Sequence, residues 1–419
     1  MLVDFSVENY GPFRDKATLS MQATSRKEHP GNIVDCPTMN CKVLTSALVF
    51  GPNASGKSYI FKAFNDLKFM VTDAYTEDVE FPYRPYKLDQ DSMKSPVSFD
   101  IRLLEDDILY EYSISFLGDR IVHEKLQHYP MKRAKLVFER HECIDDFKGK
   151  SRKLLGLLTK TTSYLVLGAK YNEEVCIKVR RMIMNLVTLE SQQIGDIVPA
   201  SIDYFEKDPE KRSILIKGLQ KSDFAITDYR VDQFPIDKES ARKFLPLEEY
   251  EALINSSHTS MKGIKVSIEH DYGIQPESSA KVRFDLGSEE SIGTQYMFGL
   301  MGPIVDSLST GKTLIIDEFG AHLHPLLTRW IVEQFSKDNN PNNSQLVAIT
   351  HDIGLIDTKE LVRRDQLYFT NKDKFDGSSS LYCLSDFKGI RKDDLVLKAY
   401  LSGRYDAIPL TVSGSVLDG

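Results

Sequence analysis

The spacing of apolar and polar positions divides this chain into strand-like ends around a helical middle. Residues 2–13, LVDFSVENYGPF, alternate in character and predict a strand broken by a Gly-Pro turn. VLTSALVF, from Val43, is almost wholly apolar, as a buried central strand should be, and it runs through a glycine loop into the helical pattern YIFKAFNDLKFMV. PVSFDIRLLEDDILYEYSISF and DRIVHEKLQHYP predict antiparallel strands turning near Gly118. The period then changes. In EEVCIKVRRMIMNLV, Val175, Val179, Met182, Ile183 and Leu186 recur on one helical face, and KDPEKRSILIKGL predicts a helix with Asp208 as N-cap and Pro209 at its first position.

Strands return with IKVSIEH and KVRFDLG. The helix following SEESIGTQYMFG (288–299) carries Met297, Leu300, Met301, Ile304, Val305 and Leu308 on one stripe. An apolar strand TLII, a helix PLLTRWIVEQF, a loop NNPNNS and a strand QLVAITH come next, and DQLYFT, SLYCL and a final helix close the chain. The expected organisation is an α/β protein with residues 1–144 and 263–419 forming one domain and a mainly helical insert at 145–262. At roughly 150 residues per domain, the length fits two or three domains.

Composition narrows the class. A hydrophobic content of 41% is enough for a sizeable core. The longest apolar runs fall short of a membrane span and the N-terminus lacks a signal pattern, so the expectation is a cytoplasmic protein with no membrane contact. The five cysteines, Cys36, Cys41, Cys143, Cys176 and Cys383, are scattered without metal-ligand spacing and read as ordinary thiols. A net charge of -8 leaves DNA or RNA contact only to local basic patches, of which KVRR (178–181) and KRAK (132–135) are the candidates, and solvated faces are the better reading of both.

The chemistry is concentrated in three places. GPNASGKS fits G-x-x-x-x-G-K-[ST] between a buried strand and an amphipathic helix. Gly51, Pro52, Asn53, Ala54, Ser55 and Gly56 would form the phosphate-binding loop, its backbone N–H groups, which Pro52 lacks, turned toward phosphates, Lys57 would reach the β- and γ-phosphates, and Ser58 would ligate Mg²⁺. TLIIDEF ends an apolar strand in two carboxylates, with Asp317 assigned to the Mg²⁺ shell and Glu318 as general base. QLVAITH ends in His351, placed to hydrogen-bond the γ-phosphate or the attacking water. His322 and His324 lie in a loop whose spacing does not suit a metal.

Together these motifs resemble the ABC-type ATPases of the SMC/RecF/OLD branch, over roughly residues 1–140 and 262–419. GPNASGKS is similar to the Walker A of that branch, LIIDE to its Walker B, ITHD to its switch histidine, and AHLHP sits where its D-loop lies. The resemblance implies a P-loop NTPase core with an N-terminal antiparallel β subdomain, ATP and Mg²⁺ as ligands, and ATP hydrolysis. It also implies a homodimer or higher homo-oligomer in which Ser291, Gly293 and Thr294 form a signature loop acting in trans on the partner's nucleotide. Ile292 and Thr294 depart from the usual LSGGQ-like form. Gln127 is one of several candidates for the Q-loop glutamine, which is left unassigned.

SIGTQ, DEFGAHLHP, QLVAITHD, RRDQLYF and YLSGRYDAIP are similar, more narrowly, to the stand-alone RloA-like ATPases, relatives of the ATPase of the PARIS anti-phage system. That likeness implies an ATP-driven switch or sensor in antiviral defence, often beside a TOPRIM-type RloB-like partner. The stretch after His351 is too short for a TOPRIM nuclease, and no histidine is preceded by an arginine at the spacing of a tRNA-cutting HEPN motif, so a separate nuclease chain is expected. Two other readings stand beside this one: a RecF- or SMC-like DNA maintenance ATPase, and an ATP-bound oligomeric scaffold that sequesters a toxin.

Overall fold

The structure, a computed structural model, describes residues 1–37, 41–72, 81–142, 146–149, 152–190, 194–222, 226–237, 242, 260–272, 280–390 and 395–409. Cys143 lies outside them. The chain forms two compact units, one of Met1–Ser191 with Asp306–Gly419 and one of Gln192–Val305.

The first unit contains two large sheets. Its core sheet has the strand order Leu186–Glu190, Thr313–Phe319, Gln345–Thr350, Ser46–Phe50, Leu367–Lys372, Ser379–Cys383. Neighbours are parallel as far as Leu367–Lys372, and Ser379–Cys383 is antiparallel at the edge. Ser46–Phe50 and Gln345–Thr350 are buried at every position, which explains why their residues 47–50 and 346–349 read as unbroken apolar runs rather than alternations. The helix Lys57–Thr72 packs against this sheet, burying Ile60, Phe64, Leu67 and Val71.

The second sheet is antiparallel, in the order Lys148–Gly149, Lys135–His141, Arg120–His128, Ile108–Leu117, Val97–Glu105, Leu2–Glu8, Ala17–Ser20. Val97–Glu105 alternates buried and half-buried positions as far as Leu103, as the sequence predicts. The segment read as one strand from Val43 is two. Cys41–Leu44 pairs with Ile33–Cys36 in a small antiparallel sheet, whereas Ser46–Phe50 enters the core sheet; between them Thr45 N–H donates to Asn32 O at 3.0 Å. Burial on both sides made the two pieces indistinguishable by pattern.

Residues 152–190, inside the segment expected to be helical, pack in the first unit. They form the helices Tyr164–Lys170 and Glu174–Met184 and the edge strand Leu186–Glu190. Glu124, wholly buried, fixes the start of the first helix by accepting from Tyr164 N at 2.8 Å and Leu165 N at 3.0 Å. KVRR is engaged in this packing: Lys178 pairs with Asp106 at 2.7 Å, Arg181 with Glu105 at 2.7 Å, and Arg180 donates to Val71 O at 2.9 Å.

The second unit combines helices Ile194–Phe205 and Pro209–Lys221 with an antiparallel sheet of Ile226–Asp237, Ser260–Tyr272 and Ala280–Asp285. Asp208 caps the second helix, accepting from Glu210 N at 2.9 Å, with Pro209 at the first position. No helix among the described residues is long and apolar enough to cross a membrane.

Candidate functional site

The loop after Ser46–Phe50 is shaped by contacts that exclude side chains. Gly51 has φ 156°, and a Cβ there would stand 2.3 Å from Thr370 Oγ1 and 2.6 Å from its carbonyl oxygen. Thr370 Oγ1 is in turn 2.5 Å from Ser55 Oγ, which donates to Pro52 O at 2.8 Å, so the neighbouring strand pins the loop. Ala54 at φ 61° and Gly56 at φ 98° are left-handed, and such reversals turn successive N–H groups into one concavity. Helix Lys57–Thr72 starts at the end of this loop and adds its positive terminus.

Lys57 is buried, and its Nζ donates to Gly51 O and Pro52 O, each at 2.8 Å. Burial lowers its pKa to about 8, while the charges of Asp317 and Glu318 act in the opposite direction. Asp317 is also buried, which raises its carboxyl above the usual range against hydrogen bonds from Ser58 and from the Glu318 N–H, the latter 3.0 Å from Oδ1.

In a regular strand Asp317 and Glu318 would face opposite sides. Here the pairing with Gln345–Thr350 slips between Ile316 and Phe319, and Glu318 takes φ 53°. This bulge brings both carboxylates to the wall of one cleft, at the cost of a left-handed non-glycine residue. Thr350 Oγ1 donates to Phe319 O at 2.7 Å, tying the strand tips together immediately before His351. His351 stands exposed on the same cleft; partial loss of hydration, then the Lys57 charge, lowers its pKa, and Glu318 opposes. That shift favours the neutral imidazole.

The cleft has a volume of about 660 Å³, and Asn53, Ala54, Gly56, Lys57, Ser58, Asp317, Glu318 and His351 line it. Ligand sites of hundreds of cubic ångströms take drug-sized molecules. The rest of its lining was not predicted. Gly11, Pro12, Tyr59 and residues 83–88 form it, with Lys372, adding three cations, Arg84, Lys87 and Lys372, and the rings of Tyr83 and Tyr86. Arg84 O accepts from Gly11 N at 2.7 Å, and its guanidinium lies 3.5 Å from Asp66, which accepts from Tyr10 OH at 2.6 Å. The signal available in FPYRPYKL was its density of tyrosine and basic residues, which fits no short motif.

Other residues in or near the motifs have structural partners. Asp352 accepts from Gly354 N at 2.9 Å and from Thr328 Oγ1 at 2.5 Å, and His324 Nδ1 caps helix Pro325–Gln334 by accepting from Leu326 N at 3.2 Å. Gln127 donates to Tyr129 OH at 2.8 Å, in the antiparallel sheet.

In the second unit, Ser291 Oγ accepts from Thr294 N at 3.1 Å and caps the helix Ile292–Thr310. Thr294 is buried with its hydroxyl 2.9 Å from Ser291 Oγ, while Ser291 and Ile292 are exposed and Gly293 is half-buried. The preceding turn is held by Asp285, whose Oδ1 accepts from Ser288 N and Ser288 Oγ, each at 2.8 Å.

The fit to Mg²⁺ rests on the donor set: a hydroxyl and a carboxylate, Ser58 and Asp317, hydrogen-bonded to each other beside an N–H-lined loop, are the hard oxygen ligands this ion takes.

No curated protein sequence matches the chain. Among solved structures, it is similar to the SMC head domain from Thermotoga maritima, at 12% identity and TM-score 0.40, covering 91% of this chain and 98% of that one. It is similar to the Smc head domain with an extended coiled coil bound to the C-terminal domain of ScpA, derived from Pyrococcus furiosus, at 10% identity and TM-score 0.38, covering 97% and 98%. A third is the recombination mediator protein RecF, at 11% identity and TM-score 0.35, covering 91% and 98%. The sequence profile of the family described as "AAA domain, putative AbiEii toxin, Type IV TA system" matches residues 46–165 and 203–357, more than half of the chain. These two matched segments contain the glycine loop, the acidic pair and His351, and the chain belongs to this AAA domain family.

Proposed function

We propose that the protein binds and hydrolyses ATP as an ABC-type switch, closing a homodimer through the nucleotide and so controlling a separate effector in antiviral defence. The observation that carries this reading is the meeting of Lys57, Ser58, Asp317, Glu318 and His351, from the tips of neighbouring parallel strands, on one cleft. Ligands of open α/β sheets bind at the carboxyl ends of the strands.

In this reading the loop 51–56 holds the phosphates by backbone N–H groups, and Lys57 leaves the Gly51 and Pro52 carbonyls for phosphate oxygens. Ser58 and Asp317 hold Mg²⁺, which when bound neutralises phosphate charge. Glu318 orients the attacking water and accepts its proton, and neutral His351 hydrogen-bonds the water or the γ-phosphate. Arg84, Lys87 and Lys372 add positive charge to the nucleotide's other side. Ser291 and Gly293 meet the nucleotide of the partner subunit. The effector is a TOPRIM-type nuclease resembling RloB-like partners.

Replacing Glu318 by Gln keeps shape and removes the base. Phosphate release should fall by roughly 10²- to 10⁴-fold, and ATP should drive more dimer in sedimentation. Unchanged hydrolysis would overturn the role of Glu318. The second reading kept beside this one is an ATP-bound scaffold that sequesters a toxin. Effector release that proceeds equally with ATP and a non-hydrolysable analogue would select it.

A further inference from the structure

We propose a transition-metal site of the zinc class on the antiparallel sheet, formed by His123, Glu139 and His141 and separate from the nucleotide cleft. His123 and His141 are direct cross-strand partners on Arg120–His128 and Lys135–His141. Glu139 is two residues before His141 and therefore shares its face. The alternate positions Glu124, Phe138 and Arg140 are buried, so the triad occupies the side that retains access to solvent.

One ligand atom from each residue lies within 4.8 Å of the other two. His123 Nε2 is already 3.6 Å from Glu139 Oε1, and the imidazole centroids are 4.9 Å apart. Around a tetrahedral ion with bonds of about 2.0–2.2 Å, ligand atoms sit roughly 3.4 Å apart. Closing the triad takes shifts on the order of an ångström, which side-chain rotation supplies without moving the ladder.

The donor set decides the ion. Two imidazoles with one carboxylate suit Zn²⁺, Co²⁺ or Ni²⁺, whereas Mg²⁺ and Ca²⁺ prefer all-oxygen shells. Three protein ligands leave a position for water, as in open zinc sites. Lys148 Nζ lies 3.3 Å from Oε2 of Glu139, holding the carboxylate while Oε1 faces His123. Such outer partners orient metal ligands. Lys125, 3.8 Å from Oε1, is the group the ion displaces. The two lysines place the expected affinity below that of a closed structural site.

The test uses the full chain, nucleotide-free and chelator-treated, in excess Mg²⁺ to saturate oxygen ligands near Ser58 and Asp317. A Cys36→Ser, Cys41→Ser background removes a second candidate ligand pair, since those residues are cross-strand partners. Zn²⁺ calorimetry should show one site, with Co²⁺ giving visible absorption bands. His123→Ala and His141→Ala should each weaken it at least tenfold, and Glu139→Gln less. No binding, or binding unchanged in both histidine variants, overturns the proposal. Should the variants fold poorly, diethylpyrocarbonate labelling of the Cys-variant background decides: Zn²⁺ should protect His123 and His141 together, and equal labelling with and without Zn²⁺ refutes the site.

Discussion

Substituting Glu124 by Gln changes almost no volume and should still be among the most damaging single replacements in the first unit. Oε1 of Glu124 accepts from Tyr112 OH at 2.9 Å, Ser163 Oγ at 2.8 Å and Leu165 N at 3.0 Å; Oε2 accepts from Arg140 Nε and Tyr164 N, both at 2.8 Å. Whichever oxygen becomes the amide nitrogen then faces at least two donors. The buried Arg140 also loses its counter-charge. Breaking a buried ion pair from one side costs about 3–5 kcal/mol, and an orphaned buried donor about 1–3 kcal/mol. These overlap, so about 5 kcal/mol is expected in sum, a fall in melting temperature of roughly 10 °C for a unit of this size.

Scanning calorimetry measures the loss, and hydrogen exchange should localise it to the start of helix Tyr164–Lys170. Adding Arg140→Leu to Glu124→Gln should recover part of that loss, because no buried charge is then left unpaired while the amide oxygen still accepts from its remaining donors. None of these groups lines the cleft, so ATP affinity of the folded protein should stay at the parental value. A Glu124→Gln protein melting within about 2 °C of the parent would refute the assignment of five simultaneous donors to this carboxylate.

Gly51→Ala forces a methyl into Thr370 and should reduce nucleotide affinity at least tenfold while costing about 1–3 kcal/mol of stability; parental affinity in a fluorescent-nucleotide titration would contradict the close approach. Free Lys57 loses its proton from about pH 8 upward, whereas bound phosphate favours the ammonium, so ATP affinity should fall as pH rises through that value. The nucleotide-free protein should gain stability between there and the ordinary lysine range, because the unfolded state then binds the extra proton; pH-independent binding up to pH 9.5 would dismiss Lys57 as the titrating contact. Ser291→Arg should leave ATP binding by the monomer nearly intact but abolish dimer closure and hydrolysis, and a variant that still hydrolyses at the normal rate would reduce Ser291 to a helix cap, worth about 1 kcal/mol.

The sequence by itself determined the glycine loop, the acidic pair and the order along the chain of the strands carrying them. Local constraints suffice there: Gly51 and Gly56 are needed where a Cβ has no room, and residues 47–50 and 346–349 are apolar throughout because both faces are covered. Asp208 and Pro209 were legible for the same reason, since a helix start is set by its own first turn. Position in space was not legible. That Leu186–Glu190 becomes an edge strand of the core sheet depends on pairing with Thr313–Phe319, far away in the chain.

The bulge that turns both Asp317 and Glu318 into the cleft arises from a slip against a neighbouring strand, which no local pattern records. The cationic wall of Arg84, Lys87 and Lys372 is assembled from segments with no shared motif. The same holds for His123 and His141, which cross-strand register alone makes neighbours. Sequence pattern fixes what each segment is able to bury or bind, whereas long-range pairing decides which side chains meet.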